Sequence, residues 1–253
     1  MLLAVKLFIA VLIFFSLGVA SAKDVYLLVL KEAISKNCEA INLGDTEGLY
    51  QVGLDTREVS GRLPLSWSGC MDFGFLAPLR KKMIESGMAE RVIVMQIEIA
   101  GSNLRDWEAG GRFHVKLKSA LAVANSHNIK FDYALWQGRF IHANFDRSSY
   151  VGDVRRLIKS ISLSTKIDKW IIGLSASCIG ENGAKTLPVQ WAPLLNRFPG
   201  PDIGEFENVY HSDRCNLNQA GQRKIVDRWF SAMKKADIES DKYQKESLLY
   251  YFK

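Results

Sequence analysis

The chain has 253 residues, 48% of them hydrophobic and 24% charged, which excludes a disordered or fibrous protein and leaves ample apolar material for a core. Its 33 Lys and Arg against 27 Asp and Glu give a formal charge of +6, mild enough to read as a soluble surface. No Lys/Arg cluster with interleaved aromatics marks a nucleic-acid footprint.

The first 22 residues read as an export signal. Lys6 precedes an apolar run from Leu7 to Phe15, Ala20-Ser21-Ala22 supplies small residues for cleavage, and charge resumes at Lys23-Asp24. The run falls short of the roughly 20 apolar residues of a membrane-spanning helix, and no later stretch is long enough. The mature chain is therefore expected to be secreted or periplasmic, with no membrane span. Without Lys6 it carries 32 Lys and Arg against 27 Asp and Glu, a formal +5.

Asp24–Leu30 is a short, nearly continuous apolar run, as for a strand buried on both faces; Arg91–Ala100, Phe131–Trp136 and Lys169–Ser175 read the same way. Helical stripes lie between them: Leu76, Leu79 and Met83; then Phe113, Leu117, Ala120, Leu121 and Ala124; then Val151, Val154, Leu157, Ile158 and Ile161. A last helix is expected from Gln219 to about Lys235, burying Ile225, Val226, Trp229, Phe230 and Met233. Strands alternating with helices predict a three-layer α/β/α sandwich around a parallel, flavodoxin-like sheet of about five strands, with Asp24–Leu30 in its interior. One domain is expected over residues 23–236. The tail, 237–253, is charged until Leu248-Leu249-Tyr250-Tyr251-Phe252, which is expected to pack back onto it.

Cys38, Cys70, Cys178 and Cys215 are an even set in an exported chain, which predicts disulfides, and four cysteines allow three pairings. They form no Cys-x-x-Cys motif and the four histidines are scattered, so no metal is expected. No cofactor is implied, and the sequence leaves the oligomeric state open.

Ligands of such sheets bind beyond the carboxyl ends of the strands. Those segments are Lys31–Cys38, Gly101–Trp107 and Gln137–Phe145, joined by Tyr210–Asn218 before the last helix. They are rich in Ser, Asn, Gln, Asp and Trp, which suits a sugar better than a lipid. Trp107, Trp136 and Trp191 read either as core residues or as stacking surfaces.

The same four segments resemble the sequence blocks of the SGNH/GDSL hydrolases, in particular the sialate O-acetylesterase-like carbohydrate esterases, from Val25 to about Met233. Where that family ends its first strand in Gly-Gln-Ser, this chain has Lys31-Glu32-Ala33-Ile34-Ser35. A glycine turn survives as Ala100-Gly101-Ser102-Asn103. The family's Trp-His-Gln-Gly or Trp-Gln-Gln-Gly block is shortened here to Leu135-Trp136-Gln137-Gly138, and the acidic or small polar residues that usually follow are replaced by Arg139-Phe140-Ile141-His142. The final Asp-x-x-His block reads Asp213-Arg214-Cys215-Asn216.

The resemblance implies a fold and a lost chemistry. Ester hydrolysis of this kind needs a hydroxyl nucleophile, an imidazole base and a carboxylate that orients the base. The nucleophile position is Ala33 and the base position Asn216; only the carboxylate, Asp213, remains. Gly101, Ser102, Asn103 and Gln137 are left as ligand-binding candidates, with Gly101 and Gln137 in oxyanion-donor positions. Gln137 reads equally as a structural amide. Relocated catalysis through Ser35 and His211 is the alternative, although a two-residue shift displaces a side chain by more than the contact of about 3 Å that proton transfer needs. The resemblance also implies the disulfides Cys178–Cys215 and Cys38–Cys70. The function it implies is a non-catalytic polysaccharide-binding or modification-accessory protein that takes an acetylated glycan. An active O-acetylesterase and a purely structural, partner-binding protein are the competing expectations.

Overall fold

The computed structural model describes residues 23–33, 49–53, 58–60, 67–68, 75–100, 102, 104–139, 147–175, 197–202, 206, 208–210 and 217–251. Its strands are β1 (Asp24–Ala33), β2 (Leu49–Val52), β3 (Glu58–Ser60), β4 (Arg91–Ala100), β5 (Lys130–Arg139), β6 (Lys166–Ser175) and β7 (Phe198–Asp202). Its helices are α1 (Leu76–Glu85), α2 (Leu104–Trp107), α3 (His114–Ser126), α4 (Arg147–Ser164) and α5 (Gln219–Tyr251).

The strands form one sheet in the order β3-β2-β4-β1-β5-β6-β7. Six are parallel, and β3 is an antiparallel addition at the β2 edge. β1 is interior, as its double-sided burial requires, with β4 and β5 as its neighbours. From β1 the chain goes out to β2 and β3, returns to β4 beside β1 and then crosses to β5, so the neighbouring strands β1 and β5 send their onward connections in opposite directions. That reversal of strand order is where open α/β sheets hold their ligands.

Alternate residues of each strand feed two cores, as a pleat of period two dictates. Leu28 and Leu30 of β1, with Ile93, Met95 and Ile97 of β4, face the layer of α3 and α4, meeting Leu117, Leu121, Val154 and Ile158. Val25, Leu27 and Val29, with Val92 and Val94, face the layer of α1 and α5, meeting Leu79, Met83, Val226, Trp229 and Met233. Helices thus cover both faces, and the three-layer α/β/α fold is realised.

The sheet is wider than the five or so strands expected from sequence. Leu49–Val52 and Glu58–Ser60 are too short to show a period, and Phe198–Asp202 (FPGPD) carries two prolines and a glycine that mask it. Its edge position tolerates those prolines, because β7 pairs on one side only, with β6. β1 and β5 each outrun their apolar runs by three residues at the carboxyl end. The last helix does not stop near Lys235. Asp237–Tyr251, expected as a tail, continues it to 33 residues, about 50 Å at 1.5 Å per residue.

Two contacts orient α5. Trp229 packs over Gly173 of β6, while Asp237, two turns later, accepts a hydrogen bond from Tyr133 Oη (2.6 Å) and pairs with Lys169 Nζ (3.1 Å). Lys169 precedes Gly173 along β6, so α5 runs antiparallel to the strands, and its N terminus rises at the carboxyl rim of the sheet.

Candidate functional site at the carboxyl rim

β1 remains a paired strand through Lys31, Glu32 and Ala33, opposite Glu98, Ile99 and Ala100 of β4. The loop expected to begin at Lys31 is a correction: β4 pairs with β1 to Ala33 and β5 to Lys31, and unmade ladder bonds there would cost more than extension. Ala33 stands at the last rung, opposite Ala100, and Gln137 of β5 is opposite Lys31. Ala33 and Gln137 therefore lie on adjacent strands at one rim.

Ser102, just past β4, is buried (1% exposed), and its Oγ has no hydrogen-bond partner among the described residues. The chain leaves it for α2, where Arg112 clamps Asp106 through Nε–H to Oδ1 (2.7 Å) and a second guanidinium N–H to Oδ2 (2.8 Å). Gly111 packs so closely on the carbonyls of Arg105 and Asp106 that a Cβ has no room there. Arg105 and Arg156 add ion pairs to Asp153 of α4, and Arg156 also reaches Glu108 (3.4 Å). Arg–carboxylate pairs of this kind fix geometry as much as they contribute energy, and here they tie α2 and the turn after it to α4.

The rim's most distinctive feature lies on the α1/α5 face. By strand alternation Lys31 continues the Val25-Leu27-Val29 row, Gln96 and Glu98 the Val92-Val94 row, and Gln137 the Tyr133-Leu135 row. Lys31 Nζ pairs with Glu98 Oε1 at 3.0 Å, and Gln96 Nε2 donates to Glu98 Oε2 at 2.8 Å. The Glu98 side chain is 4% exposed and that of Lys31 33%. Polar residues thus replace the apolar rows where the sheet meets the rim. Sequence reasoning took Lys31 and Glu32 as loop charges and passed over Gln96 and Glu98 inside the RVIVMQIEIA run. The signal was there: a glutamine and a glutamate two apart in an apolar strand must share a face.

Trp107 and Trp136 are core residues, 3% and 2% exposed, on the α3/α4 side; neither is a stacking surface. The α5 end of the rim is fixed by Asn218, whose Oδ1 accepts from the Gly221 amide (3.0 Å) and whose Nδ2 donates to the Val209 carbonyl (2.6 Å). Lys224 of the second turn lies over the rings of Phe206 and Tyr210, 4.9 and 3.9 Å from their centroids.

Gly101, Asn103, Ser35, His211, Asp213, Asn216, Trp191 and the cysteines Cys38, Cys70, Cys178 and Cys215 lie outside the described residues, as does the signal segment. Among the described residues no group of three or more His, Cys, Asp or Glu converges as metal ligands would, and no helix is long and apolar enough to cross a membrane. A polar cavity of about 600 Å³, lined by residues such as Asn128, Lys130 and Asp168, lies at the amino-terminal ends of β5 and β6, away from this rim.

With this geometry the chain superimposes along most of its length on solved carbohydrate esterases. A variant of Axe2, an acetyl xylan esterase from Geobacillus stearothermophilus, matches with a TM-score of 0.50 at 13% identity, over 82% of this chain and 94% of that one. The chain shares the fold of an acetyl xylan esterase. A second Axe2 variant, an acetyl-xylooligosaccharide esterase, gives 0.50 at 12% identity over 82% and 93%. A protein from Arabidopsis thaliana gives 0.54 at 12% identity over 83% and 98%. No protein-family model matches the sequence, and no curated protein does.

Proposed function

We propose that this chain is an exported, catalytically degenerate relative of the SGNH carbohydrate esterases that binds an acetylated polysaccharide without hydrolysing it. The observation that carries the reading is the end of β1. The position equivalent to the nucleophile is an alanine, and it belongs to a strand paired with β4 up to its last residue, where an esterase needs a hydroxyl presented to its substrate. Asn216 at the base position supports the same reading from sequence, because an amide does not take up a proton near neutral pH. A polar row lies at the rim, with Gln96, Glu98 and Gln137 buried and Lys31 one-third exposed. Polar groups of that kind suit hydroxyl and carbonyl oxygens of a sugar. The fold shared with an acetyl xylan esterase makes an acetylated glycan the first ligand to try.

The test is hydrolysis of a small acetyl ester by the purified mature chain, set beside binding to acetylated and deacetylated xylan fragments. Expected are background turnover and saturable binding. Ala33→Ser and Asn216→His should each remain near background, since nucleophile and base act as a unit and one without the other restores little. Robust turnover by the unmodified chain, abolished by Ser35→Ala or His211→Ala, would replace this reading with an active esterase whose machinery has moved. Neither turnover nor glycan binding would leave a structural, partner-binding protein.

A further inference from the structure

Glu98 and Gln96 occupy positions where the fold calls for apolar side chains. The same row of β4 is filled by Val92 and Val94, and the facing row of β1 by Val25, Leu27 and Val29. Burying a carboxylate and an amide there is unfavourable compared with two more aliphatic residues, and Gln96 Oε1 still lacks a hydrogen-bond partner among the described residues. Glu98 is held from both sides: Oε1 by the Lys31 ammonium, Oε2 by the Gln96 amide. The carboxylate in turn fixes where the ammonium sits. Lys31, one-third exposed, is the member of the row nearest solvent, and an ammonium has three N–H donors, of which Glu98 takes one.

We propose that Lys31 is the specificity-determining donor of the rim site, and that its pairing with Glu98 selects uncharged glycans over acidic ones. This rests on the polysaccharide-binding reading above and sharpens it. An unpaired lysine at this rim would favour uronic acids or sulfated sugars. With Glu98 at 3.0 Å, the pair carries no net charge. An arriving carboxylate would face Glu98 behind the ammonium in a site poorly screened by water. A sugar hydroxyl or an acetyl carbonyl accepts the N–H groups that no other described residue takes, without that repulsion.

The experiment compares two probes by calorimetry, an acetylated xylohexaose and a galacturonic acid hexamer, at 20 and 300 mM salt. The unmodified chain is expected to bind the neutral probe at least tenfold more tightly than the acidic one, with affinity nearly independent of salt. Lys31→Met should weaken the neutral probe at least tenfold. Glu98→Gln, which leaves the lysine charge uncompensated, should raise affinity for the acidic probe at least fivefold and make it fall with salt. The double variant Lys31→Met/Glu98→Met keeps the site apolar and folded should either single variant be unstable; it is expected to melt no lower than the parent while losing the neutral probe. A pair serving stability alone would do the reverse, lowering the melting temperature and leaving binding intact, and that outcome overturns the proposal. So does neutral binding unchanged in Lys31→Met, or acidic binding unchanged in Glu98→Gln. Failure of the unmodified chain to bind either probe overturns the polysaccharide reading itself and this inference with it. Binding that ignores Lys31 overturns only the latter.

Discussion

Gly173 lies beneath the indole of Trp229, and the absence of a side chain there is what lets α5 approach the sheet. A Cβ at this position would sit 2.8 Å from both Cη2 and Cζ2 of the ring and 3.2 Å from the Pro201 carbonyl oxygen. Trp229 is fully buried and stacked on Phe75, with ring centroids 5.7 Å apart, so it has nowhere to yield. Gly173→Ala is expected to destabilise the fold by about 1–3 kcal/mol, the usual range for overpacking, as read from urea unfolding midpoints. Gly173 is also the β6 partner of Gln137, so a displaced α5 would disturb the rim as well. A wild-type unfolding curve from this variant would show that the helix floats more freely than the contact implies.

At the scale of elements, α5 is held at its N terminus and again near its middle. Its N terminus leaves amide groups without helical partners, and Asn218 satisfies one of them through the Gly221 amide while anchoring to the Val209 carbonyl. Asn218→Ala should cost about 1 kcal/mol through the lost cap. Asn218→Asp should recover most of that, because the acceptor survives and only the donor to Val209 is lost. Thermal unfolding followed by circular dichroism separates the two variants, and equal losses would move the importance from the cap to the Val209 anchor. The apolar face read from sequence, from Ile225 to Met233, is buried as expected, but that periodicity says nothing about where the helix stops. Asp237 follows the last residue of the apolar stripe and looks like the start of a solvated tail. In the fold it is the residue that Tyr133 and Lys169 hold against the sheet.

For the molecule as a whole, two contacts contribute to how stability varies with pH, Asp24 with Arg91 and Tyr133 with Asp237. Hydrogen bonding from the Arg91 guanidinium, Nε–H to Oδ1 at 2.8 Å, holds the Asp24 carboxyl below its ordinary value of 3.8 despite partial burial. A lowered folded-state value stabilises the fold above the unfolded-state value, and that contribution is lost as pH falls through the folded one. Arg91→Met should therefore flatten the decline in stability below about pH 4. Burial, reinforced by the hydrogen bond to Asp237, pushes the Tyr133 phenol above its ordinary value of 10.0. The sign is opposite: the contribution is complete below pH 10 and declines above it, as the unfolded chain ionises first. Urea titrations of the parent and Tyr133→Phe at pH 8 and pH 11 test this, and the variant is expected to lose less stability between them. Parallel losses in both proteins would place the alkaline sensitivity elsewhere.

The sequence alone determined the layered α/β/α architecture. Burial of a parallel sheet on both faces writes itself into continuous apolar runs, and amphipathic helices write theirs at intervals of three and four, as at Val151, Val154, Leu157, Ile158 and Ile161. The family resemblance pointed to Ala33 and Gln137 as rim positions, although the strands that carry them outrun their apolar runs by three residues. Short and edge strands were illegible: Leu49–Val52 has too few residues for a period, and Phe198–Asp202 is held by pairing with β6 rather than by its own propensity. Only the tertiary structure decided the character of the rim. Lys31, Glu98 and Gln137 are far apart in the chain and unremarkable within it, and they become one row because parallel register sets β4, β1 and β5 side by side. Register is a property of strand pairs, fixed by the packing of both cores at once, and no single segment of sequence carries it.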